Sequence, residues 1–291
     1  MKAVVIGTGL IGGSFALALR QVSPGTVVTG VDTNEEHLQE ALDLGVIDEA
    51  GSVNAVADAD LVVLAVPVHV ASELLVTVLN RISDKALVMD MGSTKEHLCL
   101  SVAEHRRRGN FLAAHPIAGT EYSGPSAAFS ELYHNKKMVL CETEKTRPDL
   151  LEKALELFKD LGLQVRNMDP ESHDKHLAYV SHLSHISSFM LGKTVLDKEK
   201  DERNILDLAG SGFASTVRLA KSSPDMWTPI FQQNREPVLE ALDAYIENLM
   251  AFRTNLQNKE YQALHREMRQ ANVLTPLLGQ DLITQLTNRK S

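Results

Sequence analysis

Cysteine is scarce in this chain of 291 residues, in which Cys99 and Cys141 are the only two. Two cysteines cannot form a disulfide framework, and their spacing fits no metal-binding motif, so the composition favours a reducing cytoplasm and predicts no metal site. The uncharged stretch 177–192 is too short, and too rich in serine and histidine, to span a bilayer. We therefore expect no membrane segment, and because a predicted strand begins at Lys2 we expect no signal peptide.

Basic charge is also in deficit. The chain has 29 lysines and arginines against 38 aspartates and glutamates, a formal net charge of −9, and its densest basic run, 106–108, is short. This balance predicts that nucleic acid is not a partner. What the chain does have, 44% hydrophobic and 23% charged residues, is typical of a globular protein long enough for one large domain or two ordinary ones.

The first half of the chain alternates apolar runs with amphipathic segments. The apolar runs are typical of strands buried on both faces of a sheet, and the amphipathic segments have the spacing of helices. This alternation predicts an α/β fold of the Rossmann type with a parallel, doubly wound sheet. The predicted strands are 2–6, 26–31, 61–66, 86–89 and 111–114, followed by 138–141 and 163–165 on either side of a helix at 148–161.

Beyond residue 169 the pattern is helical throughout. Ser223 and Pro224 predict an N-cap followed by proline at the first helical position, and Pro237 predicts a break or kink. We therefore expect a dinucleotide-binding Rossmann domain at 1–169 and an all-α helical domain at 170–291. The main helices predicted in this second part are 171–196, 238–256, 260–270 and 277–287.

A glycine-rich loop follows the first predicted strand and opens a helix. Gly7 permits a tight turn, Gly9 lets a pyrophosphate approach the backbone, and Gly12 lets the helix pack on the strand. Asp32, about twenty positions after Gly12, is placed to accept hydrogen bonds from the adenine ribose. No lysine or arginine stands at 33–36 to receive a 2′-phosphate, so the pattern favours NAD over NADP; FAD and a glycine turn without a ligand are weaker alternatives. The predicted cofactor-binding residues are Gly7, Gly9, Leu10, Ile11, Gly12, Asp32, Val66 and Pro67.

A histidine ends the fifth predicted strand. Pro116 disfavours the α conformation for the preceding residue, so His115 is held extended at the carboxyl edge of the sheet, where open α/β sheets bind ligands. Ser93 follows the fourth strand and belongs to the same edge. Both residues also have structural alternatives, since a histidine can bond a nearby carbonyl and Ser93 can cap the helix that begins near Lys95. We expect Lys95 itself to be exposed in the first turn of that helix.

The helical part contributes further candidates. His182 and His185 lie in the uncharged stretch, which predicts a surface against protein or a cleft; no carboxylate or cysteine at ligand spacing supports a metal site there. Arg218 stands among apolar residues and is a candidate clamp for a carboxylate, which a guanidinium binds with two hydrogen bonds. The alternative is a salt bridge from Arg218 to Asp207 or Glu121.

A set of motifs along nearly the whole chain resembles the prephenate dehydrogenase family. The most specific of them is the His-Pro-x-Ala-Gly-x-Glu element that begins at His115. The motifs are GTGLIGGS at 7–14, DMGSTK at 90–95, HPIAGTE at 115–121, SHLSH at 181–185, GSGF at 210–213, TVRLA at 216–220 and Met226-Trp227.

The resemblance implies an NAD-dependent oxidoreductase that converts prephenate to 4-hydroxyphenylpyruvate by oxidative decarboxylation, on the route to tyrosine. It also implies a homodimer formed through the helical domain, with the active site between the two domains. By position in the motifs, the implied site residues are His115 as the catalytic histidine, Ser93 as its hydroxyl partner, Arg218 for the ring carboxylate, His185 lining the substrate site, and Glu121 in the ionic network. We also predict that Trp227, the only tryptophan, contributes to the substrate site as a wall residue, with a place in the core as the alternative.

The chain departs from the family pattern after the GSGF motif. Relatives often carry Arg-Asp or Lys-Asp there, whereas this chain has Ala214 and Ser215. The recognition of the side-chain carboxylate is therefore open, and arogenate dehydrogenase stays an alternative. A β-hydroxyacid dehydrogenase and a non-catalytic NAD-binding protein are more distant ones. The length predicts a single-function form, without the regulatory ACT domain or the fused chorismate mutase of some relatives.

Overall fold

The computed structural model describes residues 1–202 and 204–274. It contains an eight-stranded sheet with the strand order β3-β2-β1-β4-β5-β6-β7-β8. The first six strands of this order follow the arrangement of a doubly wound, dinucleotide-binding sheet. The strands are β1 (Lys2–Ile6), β2 (Val27–Val31), β3 (Glu49–Ala50), β4 (Leu61–Leu64), β5 (Leu87–Asp90), β6 (Phe111–Pro116), β7 (Lys137–Cys141) and β8 (Gln164–Asn167).

Helices connect the strands and continue the chain after β8. The helix predicted at 277–287 lies outside the described residues. The observed helices are α1 (Leu10–Val22), α2 (Glu35–Asp43), α3 (Val68–Arg81), α4 (Glu96–Ser101), α5 (Pro148–Asp160), α6 (Pro170–Leu177), α7 (Leu183–Asp201), α8 (Ser211–Thr216), α9 (Pro224–Gln233), α10 (Arg235–Gln257) and α11 (Tyr261–Ala271).

The sheet is parallel from β3 to β6, as predicted, but β7 runs antiparallel to β6 and pairs Val139 with His115. The sequence predicts a strand at 138–141 without giving its direction. A parallel return needs a crossover, usually a helix, whereas only short 3₁₀ turns lie between β6 and β7. These turns are held on α1, where the Tyr133 hydroxyl donates to the carbonyl of Ile11 at 2.6 Å.

Both faces of the sheet are covered. Alternate residues of β1 enter different apolar clusters: Ala3 and Val5 pack with residues of α1 and α5, and Val4 and Ile6 pack with residues of α3. Strands buried on both sides carry continuous apolar runs instead of an alternating pattern. This burial explains why the sequence predicted the central strands as unbroken hydrophobic stretches.

The helix predicted at 171–196 is interrupted. A π-helical turn at Ala178–His182 separates α6 from α7, and such a turn inserts one residue into the helical repeat. The break predicted at Pro237 is wrong, because Pro237 lies in the first turn of α10. Backbone N–H groups in the first turn have no acceptor within the helix, so a proline there costs no hydrogen bond. The N-terminal position predicted for Ser223 and Pro224 is correct, since α9 begins at Pro224.

Met1–Val238 forms one compact unit, and a second unit begins at Leu239. The division into domains at 1–169 and 170–291 stays a prediction. Among the described residues, no helix is both long enough and apolar enough to cross a membrane.

Candidate active site

The glycine-rich loop after β1 is closely packed at two of its glycines. Gly7 has φ +95°, and a Cβ atom there would lie 2.3 Å from the carbonyl oxygen of Ala65. A Cβ atom at Gly12 would lie 2.0 Å from the carbonyl oxygen of Gly7. A side chain at Gly7 would displace the backbone after β4, and one at Gly12 would push α1 away from the loop. Gly7 and Gly12 therefore have the structural roles that the fingerprint assigns to them.

Gly9 is different, because the space beside it is open. It is the N-cap of α1 and offers no side-chain hydrogen bond, and the atom nearest to an added Cβ would be the Gly124 nitrogen at 3.9 Å. The N–H groups of the first helical turn, which include those of Leu10 and Ile11, have no acceptor within their own helix. Exposed backbone donors at a helix N-terminus suit a phosphate group. The loop therefore fits the diphosphate of a dinucleotide.

Asp32 follows β2 and is bonded to the loop. Thr8 donates to Asp32 Oδ2 from its backbone nitrogen at 2.9 Å and from its hydroxyl at 3.1 Å. The backbone N–H of Asn34 donates to the other carboxylate oxygen at 3.0 Å. The half-buried carboxylate is thus oriented beside the glycine turn. On the far side of the turn, a Val66 methyl group lies 3.3 Å from the position of a Gly7 Cβ, and Pro67 begins α3 as its N-cap.

His115 lies at the end of β6 and is 9% exposed. Its Nδ1 atom is 2.8 Å from Nε2 of His173, and Nδ1 of His173 is 2.7 Å from Oδ1 of Asp174. Burial holds the pKa of His115 well below its ordinary value of 6.5, and the positive charge of Lys95 acts in the same direction. The imidazole is therefore neutral near pH 7, as a general base must be.

Ser93 does not cap the neighbouring helix. The N-cap of α4 is Lys95, which makes no side-chain cap bond. Asp174 supplies the acceptors instead: the backbone N–H groups of Lys95 and Glu96 donate to its two carboxylate oxygens at 2.8 and 2.9 Å. The capping role considered for Ser93 is thus taken by Asp174, which lies 79 positions after Lys95. Ser93 is half-buried at the carboxyl ends of the parallel strands β5 and β6.

Lys95 is fully buried, so the expectation of an exposed lysine is wrong. Its ammonium group pairs with Asp90 at the end of β5. Asp90 also accepts the backbone N–H groups of Gly92 at 2.9 Å and Ala114 at 3.0 Å. Burial raises the pKa of Asp90, and the Lys95 charge and these hydrogen bonds act against that rise. This pair is one feature of the site that sequence reasoning missed; its only signal was an acid and a base together in the DMGSTK motif.

The histidines of the helical part meet aromatic side chains. His185 stacks on Trp227 with ring centroids 3.6 Å apart and an interplanar angle of 27°. His182 is fully buried against the edge of Trp227, and burial lowers its pKa to about 4. Among the described residues, no group of three potential metal ligands converges. These contacts make the cluster a wall of aromatic rings. Within the described part of the chain, the buried Nε2 atom of His182 and the buried Nε1 atom of Trp227 have no hydrogen-bond partner.

Arg218 pairs with Glu121, which is one of the two salt bridges that the sequence left open. Nη1 of Arg218 is 3.4 Å from Oε2 of Glu121, and the side chains are 50% and 18% exposed. Burial lowers the pKa of His185, and the Arg218 charge contributes to that shift. Arg218, Glu121 and His185 therefore lie in one neighbourhood. Ala214 and Ser215 are exposed on α8 and bring no charge to it.

Two family models match the chain. The nucleotide-binding domain of prephenate dehydrogenase matches residues 15–167, and the dimerization domain of prephenate dehydrogenase matches residues 169–270. Together they confirm the predicted fold class, a Rossmann-type domain followed by a helical dimerisation domain.

Individual relatives agree with the family models. Prephenate dehydrogenase of Bacillus subtilis is 32% identical over 278 residues, which cover 93% of this chain and 75% of that protein. The crystal structure of prephenate dehydrogenase from A. aeolicus, in complex with hydroxyphenyl propionate and NAD+, has a TM-score of 0.88 at 33% identity, covering 96% of this chain and 98% of that one. Synechocystis arogenate dehydrogenase has a TM-score of 0.74 at 29% identity, with coverages of 94% and 98%. The chain belongs to the prephenate dehydrogenase family.

Proposed function

We propose that this protein catalyses the NAD-dependent oxidative decarboxylation of prephenate to 4-hydroxyphenylpyruvate, a step of tyrosine biosynthesis. Beyond family membership, one observation carries the proposal: a buried, neutral His115 ends β6 on the sheet edge that also carries the glycine-rich loop after β1. A proton acceptor beside a dinucleotide site is what an alcohol oxidation requires. The A. aeolicus relative, which binds hydroxyphenyl propionate and NAD+, supports this assignment.

The residues of the site match the chemistry of this reaction. Prephenate has a hydroxyl group on the ring carbon opposite the one that carries a carboxylate. NAD, when bound, accepts the hydride from the hydroxyl-bearing carbon. His115 takes the hydroxyl proton, which contributes about 10²- to 10⁴-fold to the rate, and Ser93 hydrogen-bonds the same oxygen. The ring then becomes aromatic as CO2 leaves.

The cofactor site yields a prediction that separates binding from folding. Gly9→Ala is expected to raise the Kd for NAD at least about tenfold, because a methyl group at the N-cap of α1 occupies the approach of the diphosphate. Its free energy of unfolding should change by less than about 1 kcal/mol, since the added Cβ meets no atom closer than 3.9 Å. Calorimetric titration with NAD and thermal unfolding check the two parts.

Gly12→Ala is the matched comparison for Gly9→Ala. Its Cβ would lie 2.0 Å from the carbonyl oxygen of Gly7, so the free energy of unfolding of this variant should fall by about 1–3 kcal/mol. Equal losses of stability in the two variants, or unchanged NAD binding in Gly9→Ala, would contradict the assignment of the loop.

We assign the ring carboxylate of the substrate to Arg218. The guanidinium is half exposed, and among residues 1–202 and 204–274 its one ion pair is the long contact with Glu121; its other N–H groups can therefore bind an anion. Arg218→Ala is expected to raise KM for prephenate about 10- to 100-fold, as the loss of a charge-assisted hydrogen bond implies, and to leave KM for NAD within about twofold. Initial rates with each substrate varied in turn measure both constants.

The control for Arg218→Ala is Arg235→Ala, which also removes an arginine from an ion pair with a neighbouring glutamate. Arg235 and its partner Glu236 are each 73% exposed, so this change should leave both KM values as they are. Equal increases in KM for NAD and for prephenate in Arg218→Ala would remove the proposed role.

The decisive test of the proposed function is the formation of NADH from NAD, measured side by side with prephenate and with arogenate. Faster turnover of prephenate supports the proposal. Arogenate is the second candidate because the Synechocystis arogenate dehydrogenase shares the fold over 94% of this chain, and because Ala214 and Ser215 replace the charged pair of many relatives. Turnover of neither compound would remove the proposal.

We also propose that the protein is a cytoplasmic homodimer. The match of residues 169–270 to a dimerization domain supports the dimer, and two free, buried cysteines support a reducing compartment. A mass of twice the chain in light scattering is the expected result, and a monomer at micromolar concentration would contradict it.

A further inference from the structure

A chain of hydrogen bonds runs from the start of α4 to His115 through two residues that no motif singled out. Asp174 accepts the backbone N–H groups of Lys95 and Glu96 and contacts Nδ1 of His173. His173 in turn contacts His115. His173 is 0% exposed and Asp174 3% exposed. Buried polar groups are costly unless each donor meets an acceptor, so the position of every proton along these hydrogen bonds can be deduced.

The carboxylate of Asp174 can only accept hydrogen bonds. The Nδ1 atom of His173, 2.7 Å from Oδ1 of Asp174, must therefore carry a proton. Burial lowers the pKa of His173, so this ring is neutral and its other nitrogen, Nε2, is an acceptor. The contact of 2.8 Å between Nε2 of His173 and Nδ1 of His115 then requires the proton on Nδ1 of His115.

A neutral imidazole that carries its proton on Nδ1 has a free lone pair on Nε2. This is the form that a general base needs, because the opposite tautomer would present an N–H group to a hydroxyl proton. An inverted tautomer is known to abolish most of the activity of histidine bases in serine proteases. The backbone carbonyl of Asp174 also accepts from Nδ2 of Asn234 at 2.8 Å, so Asp174 is held from two sides.

We propose that His173 and Asp174 are positioning residues that hold His115 in its Nδ1–H tautomer, with Nε2 free to take the substrate proton. The identity of that proton rests on the proposed function, whereas the tautomer does not. Neither residue touches the substrate; both act through His115.

The test compares two substitutions at His173 in the full-length enzyme with NAD and prephenate. His173→Leu removes the acceptor for the Nδ1–H group of His115, and we expect kcat to fall about 100-fold while KM for NAD changes by less than about threefold. His173→Gln keeps an acceptor oxygen of similar reach, and its kcat should be at least about tenfold higher than that of His173→Leu. His176→Leu, at an exposed histidine of the same helix, should leave kcat unchanged.

A second measurement reads the tautomer directly. Long-range ¹H–¹⁵N spectra of the protein, with the ring of His115 assigned by comparison with His115→Asn, should show the proton on Nδ1 in the wild type and a mixture of tautomers in His173→Leu. A proton on Nε2 in the wild type would overturn the proposal. So would a kcat in His173→Leu within about threefold of the wild type, or a His173→Gln variant as slow as His173→Leu. If the wild type oxidises neither prephenate nor arogenate, the proposed function fails, and the spectra alone decide the tautomer.

Discussion

His115→Asn is expected to lower kcat about 10²- to 10⁴-fold and to leave the Kd for NAD within about twofold. Asparagine is close in size to histidine and can hydrogen-bond, but its amide cannot accept a proton near neutral pH. The loop that fits the cofactor is built on β1 and α1, whereas His115 ends β6, so cofactor binding should be spared. Steady-state rates with prephenate and equilibrium titration with NAD measure the two effects.

The pH dependence of kcat/KM in the wild type tests the same residue independently. Because burial lowers the pKa of His115 well below 6.5, the base stays neutral as the pH falls to that value and is protonated only in more acid solution. The value of kcat/KM, which reports the free enzyme, should therefore fall through protonation of His115 only below about pH 6.5.

Two results would contradict the assignment of His115. One is a His115→Asn variant that retains more than about a tenth of the wild-type kcat. The other is an acid limb of kcat/KM centred at or above about pH 6.5, the ordinary value for histidine. His176→Asn, on the exposed side of α6, is the matched control and should be indistinguishable from the wild type in both measurements.

Lys95→Met is expected to have the largest effect on stability, lowering the free energy of unfolding by about 3–5 kcal/mol. Methionine has nearly the length of the lysine side chain, so the change removes the charge with little loss of packing. Asp90 would then remain buried, at 1% exposure, with a carboxylate and no cation. An unpaired charge in a low-dielectric interior is far less stable than the pair. Denaturant unfolding of the two proteins measures the difference.

The control for Lys95→Met is Lys193→Met, which breaks the ion pair between Lys193 and Asp197 on α7. The two side chains are 64% and 48% exposed, and exposed pairs contribute at most about 1 kcal/mol. The double variant Asp90→Leu/Lys95→Met should recover part of the stability lost in Lys95→Met, because no isolated charge stays buried. A loss below about 1 kcal/mol in Lys95→Met would show that the pair is not needed.

Local features of the chain could be predicted because they depend on neighbouring residues. The strand, glycine turn and helix at 2–22 were recognisable from hydrophobicity and from the spacing of Gly7, Gly9 and Gly12. His115 could be placed at a strand end because Pro116 restricts the backbone before it. The direction of β7 could not be predicted in this way, because an apolar strand has the same pattern in either direction and its connection decides how it pairs.

The sequence by itself determined the Rossmann-type order of strands and helices, the cofactor loop and the place of His115 at the sheet edge. Only the tertiary structure decided that Lys95 is buried beside Asp90, and that Asp174 caps α4 and reaches His115 through His173. The contact of His115 with His173 and that of Lys95 with Asp174 join residues 58 and 79 positions apart, so no local propensity or motif spacing specifies these two. Burial excludes water, so each buried donor must find an acceptor within the protein and each buried charge its partner. Only one arrangement of protons satisfies all of these contacts together.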